Sequence, residues 1–199
     1  MTKNLSDKLQ ELENLKNEIL SSSLCPELAQ TATNLVFGTG NADADIVFVG
    51  EAPGKKEDIT GEPFVGASGK RLDGLLSSVK LKRTDVYITN IVKYRPPDNR
   101  DPTPDEKKQF WPYLLRQIAI IKPKVVATLG RHSGQVFIKD LRISDDHGHP
   151  RRVAVSVDGR KELIEVLPLY HPAAALYNGS LRKTLLEDFK IVAKLLNIN

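Results

Sequence analysis

The sequence predicts an α/β protein, three layers deep (α/β/α), with a central, mostly parallel four-stranded sheet. Three observations carry that expectation. Apolar runs of strand length, "ADIVFVG", "DVYITNIV" and "KVVATLG", recur along the chain. Between them lie longer stretches whose leucines and isoleucines return at helical spacing, the alternation that builds parallel strands with helices on both faces. The chain has 199 residues, 40% of them apolar, enough for one compact domain over residues 1–199.

The elements follow in order. Residues 4–20 form a helix with Leu5, Leu9, Leu12, Leu15 and Ile19 on one stripe, and "SSSLCPELAQTATN" breaks it. The strand "ADIVFVG" enters a glycine-rich loop, then a helix in "GASGKRLDGLLSSV" with Leu72, Leu75, Leu76 and Val79 in register. "DVYITNIV" is the second strand. The proline-rich "RPPDNRDPTPDE" leads into a helix start, with Thr103 as N-cap, Pro104 at the first helical position and Glu106 closing a capping box. Pro112 is expected to kink that helix. After "KVVATLG" comes a helix near "RHSGQVFI", then a hairpin turning at Asp158-Gly159, then an amphipathic helix from Leu181 to Leu196.

Composition sets wide limits. Net charge is +4, from 29 Lys+Arg against 25 Asp+Glu, an excess that permits a polyanionic partner without demanding one. No stretch has the length of a membrane span. The first residues are charged throughout, unlike a secretory signal, so a cytoplasmic location is expected. A single cysteine, Cys25, rules out an internal disulfide or a multi-cysteine metal site.

In such sheets ligands bind outside the carboxyl ends of the strands. That points to Gly50–Phe64, Thr89-Asn90, Gly130-Arg131-His132 and Tyr170-His171-Pro172. The first loop lacks both G-x-G-x-x-G and the Walker spacing, which weakens a phosphate-cradle reading. It offers carboxylates (Glu51, Glu57, Asp58) and one ring, Phe64, suited to stacking on a planar ligand. Asn90 presents an acceptor beside a two-proton donor, matching a pyrimidine edge. His171 can donate to an oxygen that gains negative charge. Taken singly, Phe64 also reads as core, Asn90 as a turn-former and His171 as a strand end without a chemical task; their convergence on one rim favours a pocket.

The segments "VFGTGNADADIVFVGEAPGKKEDITGEPFVGASGKRLDGLL", "YITNIVKYRPPDNRDPTPDE", "KPKVVATLGRHS", "DHGHP" and "LYHPAAALYNGSLRKTLLEDF" together resemble the family 4 uracil-DNA glycosylases, from about Ser22 to Phe189. The resemblance implies that fold and a monofunctional glycosylase that flips uracil out of DNA and hydrolyses its N-glycosidic bond. It implies that Gly50, Glu51 and Ala52 wall the pocket and hold the attacking water. It assigns stacking to Phe64, base reading to Asn90 and a carbonyl contact to His171, with Glu57 a further acid of the loop. Lys93, Arg131, Arg182 and Lys183 are candidate phosphate contacts, each of which is also readable as solvated charge. A wedge from about Ala173 to Arg182 could fill the vacated stack. A monomer acting on single- or double-stranded DNA is expected.

Two departures from the family stand out. Its four-iron, four-sulfur cluster needs four cysteines, and the matching positions here are Ser22, Cys25, Tyr94 and Phe110. No cluster, no metal and no added cofactor are therefore expected. The loop "RPPDNRDPTPDE" also lacks the histidine and basic run through which a related group traps its product covalently. Other readings remain open at this point: a glycosylase for another deaminated base, an inactive DNA-binding protein, or a nucleotide- or phosphate-binding hydrolase.

Overall fold

The computed structural model describes residues 4–198, and their side chains except those of Leu176 and Tyr177. The elements are α1 (Leu5–Ser21), α2 (Pro26–Thr31), β1 (Thr39–Gly40), β2 (Ile46–Gly50), α3 (Lys55–Thr60), α4 (Ala67–Ser78), β3 (Tyr87–Asn90), α5 (Pro104–Ile121), β4 (Val125–Leu129), α6 (Arg131–Gln135), α7 (Ile143–Asp146), β5 (Arg151–Val157), β6 (Arg160–Leu169), α8 (Ala174–Tyr177) and α9 (Leu181–Leu195). The sheet has six strands in the order β1-β3-β2-β4-β6-β5, not four. The expected parallel set, β3-β2-β4-β6, is its centre. Two antiparallel edges extend it: the two-residue β1, too short to leave a periodicity, and β5, the first arm of the hairpin.

The central strands are buried at every position in β2, β3 and β4, as strands covered on both faces must be. Alternate residues go to opposite layers. Val47, Val49 and Val126 face a core shared with α1 and α5. Ile46, Phe48, Ala127 and Leu129 face α4 and α9, where Phe48 stacks on Phe189 at 5.8 Å. The chain leaves β2 towards β3 and leaves β4 towards β6, on the opposite side. The carboxyl ends of the neighbouring strands β2 and β4 therefore flank a switch point, where a crevice opens.

Helix starts follow the sequence signals. Thr103 accepts from the Glu106 amide and Glu106 reaches back to the Thr103 N–H at 2.7 Å. Pro112 lies inside α5, which runs on to Ile121 and ends on Lys122 in a left-handed conformation.

Two of the four positions that the resemblance gives to cluster ligands carry a packed aromatic pair instead. Tyr94 and Phe110 meet edge to face at 5.9 Å, and Phe110 is 0% exposed. We expect Phe110→Ala to destabilise the protein by about 3–5 kcal/mol in chemical denaturation; a loss under about 1 kcal/mol would show that the pair does not staple this layer.

Candidate active site

Gly50 ends β2 where two side chains converge. A Cβ there would lie 2.3 Å from Asn90 Oδ1 and 2.7 Å from the Phe64 ring, so only glycine fits. Phe64 has a left-handed backbone (φ 55°), strained for a residue with a bulky side chain. Three features hold it. Arg83 donates to the carbonyls of Phe64 (2.9 Å) and Pro63 (2.6 Å) while pairing with Asp73. Gly69 admits the Phe64 carbonyl so closely that a Cβ would sit 1.7 Å away. Glu57 Oε1 accepts from the amides of Val65 (3.0 Å) and Gly66 (2.8 Å) at the start of α4. Glu57 is the further acid of this loop. Its Oε1 fixes the loop by accepting from two amides at a helix start.

Asn90 is only 2% exposed, yet its side-chain amide has no hydrogen-bond partner among the described residues. It opens onto a cleft and is available to a ligand. Its backbone carbonyl is held from below by Lys93 Nζ at 2.7 Å. Lys93 was expected to touch phosphate. It cannot, because it is 0% exposed and its ammonium also bonds Thr89 Oγ1 (2.7 Å) and Gln117 Oε1. Thr89 gives its own hydrogen to the Phe37 carbonyl, as Gln117 gives one through Nε2. All three partners of Lys93 are therefore acceptors, a set that only the protonated amine fills. Burial pulls its pKa well below the ordinary lysine value.

The His171 ring lies 5.8 Å from that of Phe64, tilted by 34°. The Ala173 N–H donates to His171 Nδ1 at 3.1 Å. In the neutral ring the proton then sits on Nε2, as a donor. Burial lowers the His171 pKa to about 4, so the ring is neutral at ordinary pH.

Glu51 follows Gly50. Its Oε1 pairs with Lys107 Nζ at 2.8 Å, both groups partly buried, and His132 Nδ1 lies 3.5 Å away. Lys107 reaches it from α5, 56 residues along the chain, so no strand-end rule could have found it. Asp101 comes within 3.7 Å of His132 Nε2. Glu51, Asp101 and His132, with Ala52, Asn90, Arg100, Arg131 and His171, line a cleft of about 310 Å³. A wider groove of about 530 Å³ between α1 and β1 carries only Glu13 and Lys16 as charged groups, so the convergent polar groups favour the cleft. Arg131 is exposed at its rim; Arg182 and Lys183 are exposed at the start of α9. Of the expected wedge, the side chains of Leu176 and Tyr177 lie outside the described residues.

The donor set does not fit an iron–sulfur cluster. Ser22 donates to the Ile19 carbonyl at the end of α1. Tyr94 and Phe110 fill core, and burial pushes the Cys25 thiol up to about 11, away from the thiolate a cluster needs.

A parallel sheet whose strand ends gather a ring, an amide, a neutral histidine and a carboxylate defines an α/β protein built to hold a planar polar ligand. The chain belongs to the uracil DNA glycosylase superfamily, whose model matches residues 37–194. It is similar to the type-4 uracil-DNA glycosylase of Archaeoglobus fulgidus, 45% identical over 94% of each chain. It is 48% identical to that of Sulfurisphaera tokodaii, over 92% of this chain and 84% of the relative. For that of Thermotoga maritima the identity is 42%, over 90% and 91%. No helix among the described residues is long and apolar enough to cross a membrane.

Nitrogen-15 spectra of the histidine rings test the His171 geometry. Nε2 should carry the proton, and the ring should titrate near 4 rather than 6.5. Because the folded pKa is the lower one, the unfolded chain takes up this proton first. The contribution of His171 to stability is therefore complete above about 6.5 and is lost as pH falls towards about 4. Titration near 6.5, or a proton on Nδ1, would contradict the assignment.

Proposed function

We propose that the protein is a monofunctional uracil-DNA glycosylase, a single domain that acts as a monomer in the cytoplasm on uracil in single- or double-stranded DNA. The observation that carries this reading is the unpartnered Asn90 amide, open to the cleft beside Gly50 and the Phe64 ring. The relatives' names support the substrate.

The mechanism follows from the groups. The base leaves the stack at a cost of a few kcal/mol, least in single strands, and lies against Phe64. Asn90 Oδ1 accepts from the ring N–H and Nδ2 donates to the adjacent carbonyl; cytosine presents the reverse pattern at that edge. As the N-glycosidic bond breaks, the sugar gains oxocarbenium character and the departing base gains negative charge on its oxygens. His171 Nε2–H donates to a carbonyl where that charge collects, and as a neutral donor it keeps its own proton. Glu51, oriented by Lys107, holds water below the sugar and favours the cation. The attacking water releases one proton to solvent as its oxygen becomes the sugar hydroxyl, and the released base takes one proton from solvent. Arg131, Arg182 and Lys183 fit phosphate contacts.

One gel tests the reading. DNA with a single uracil, unpaired or opposite guanine, is incubated with protein and chelator, and half of each sample is treated with hot alkali. Strand breakage should appear only after alkali, and His171→Ala should slow it by about 100-fold or more. Breakage without alkali, or none on uracil, would sink the proposal; the latter would redirect it to another deaminated base or to a binding protein without chemistry. Asn90→Asp replaces the amide donor with an acceptor and should narrow the preference for uracil over cytosine. An unchanged preference would remove Asn90 from base reading.

A further inference from the structure

We infer that the groove between α4 and α9 is a phosphate track for the DNA strand entering the cleft, an inference that rests on the glycosylase reading. The groove measures about 380 Å³ and is lined by Lys70, Arg71 and Arg182, with Gly74, Leu75 and Leu186 between them. No carboxylate lines it. None of the three cationic side chains has a hydrogen-bond or ion-pair partner among the described residues, whereas the acids nearest in sequence are engaged. Asp73 pairs with Arg83 at 3.0 Å, Glu187 with Lys190 at 2.8 Å and Asp188 with His147 at 2.8 Å. A cationic groove with no counter-charge of its own is complementary to a polyanion.

Its place fits a strand that leaves the cleft. α4 begins in the turn that carries Phe64, and its Gly69 packs on the Phe64 carbonyl. α9 begins just beyond the loop that carries His171, and the Phe64 and His171 rings are 5.8 Å apart. α4 therefore starts beside the base-binding residues, α9 starts ten residues after His171, and the groove lies between the two helices. Leu75 and Leu186 give it an apolar floor for deoxyribose. A Cβ at Gly74 would meet nothing within 4 Å, so the groove is open there. Arg182 was a candidate from the sequence, and Lys70 and Arg71 extend it into a row.

Fluorescence anisotropy with labelled single-stranded DNA, with and without uracil, over a series of salt concentrations tests this. Each phosphate contact on a single strand contributes about 0.7 to the slope of log affinity against log salt, so K70A/R71A/R182A should lose about 2 from that slope on both DNAs. A control lacking two exposed cations at the hairpin turn, R160A/K161A, should keep the wild-type slope. An unchanged slope in the triple variant, or an equal loss in the control, would overturn the track. Failure here is separable from failure of the glycosylase reading. A reduced slope with no uracil excision by the wild type leaves the track standing without the activity; excision with an unchanged slope does the reverse.

Discussion

Three neutral oxygens surround the Lys93 ammonium, and the position of Asn90 depends on them. One belongs to Asn90 itself, one to Thr89 on the same strand, and one to Gln117 on α5. Thr89 and Gln117 both also donate to the Phe37 carbonyl. The network joins β3, the helix layer and the segment before β1 at the depth where the base-reading amide emerges. An ammonium with no carboxylate partner is costly to bury, and hydrogen bonds to all three of its protons offset part of that cost.

The rest of the site is arranged around that fixed strand end. Phe64 is held in an unfavourable backbone conformation by Arg83, Glu57 and the close approach of Gly69, so its ring does not depend on loop flexibility for its place. His171 has its tautomer set by the next turn of its own chain. Glu51 is oriented across the cleft by Lys107. Each group that would touch the base or the water thus has a second group holding it, which is what pre-organised electrostatics require.

The central strands were legible because burial on both faces leaves continuous apolar runs. The edge strand β1 was not: it has two residues, and α2, α3, α7 and α8 have six or fewer, too short for any periodicity. At the site, Asn90, Phe64 and His171 could be found by the strand-end rule and by the family resemblance. Lys107 and Arg83 could not, because they arrive from distant segments. Lys93 was misread because a lysine is by default solvated. The available signal was its setting in "NIVKY", among apolar neighbours directly after the strand end.

The account turns on the free Asn90 amide acting as the base reader, and free uracil addresses that directly. In nitrogen-15 spectra of the protein titrated with uracil, the Asn90 side-chain amide pair and the His171 Nε2–H should shift together and saturate together, while equal cytosine leaves both in place. Saturation by uracil with neither resonance moved, or the same shifts with cytosine, would contradict the account.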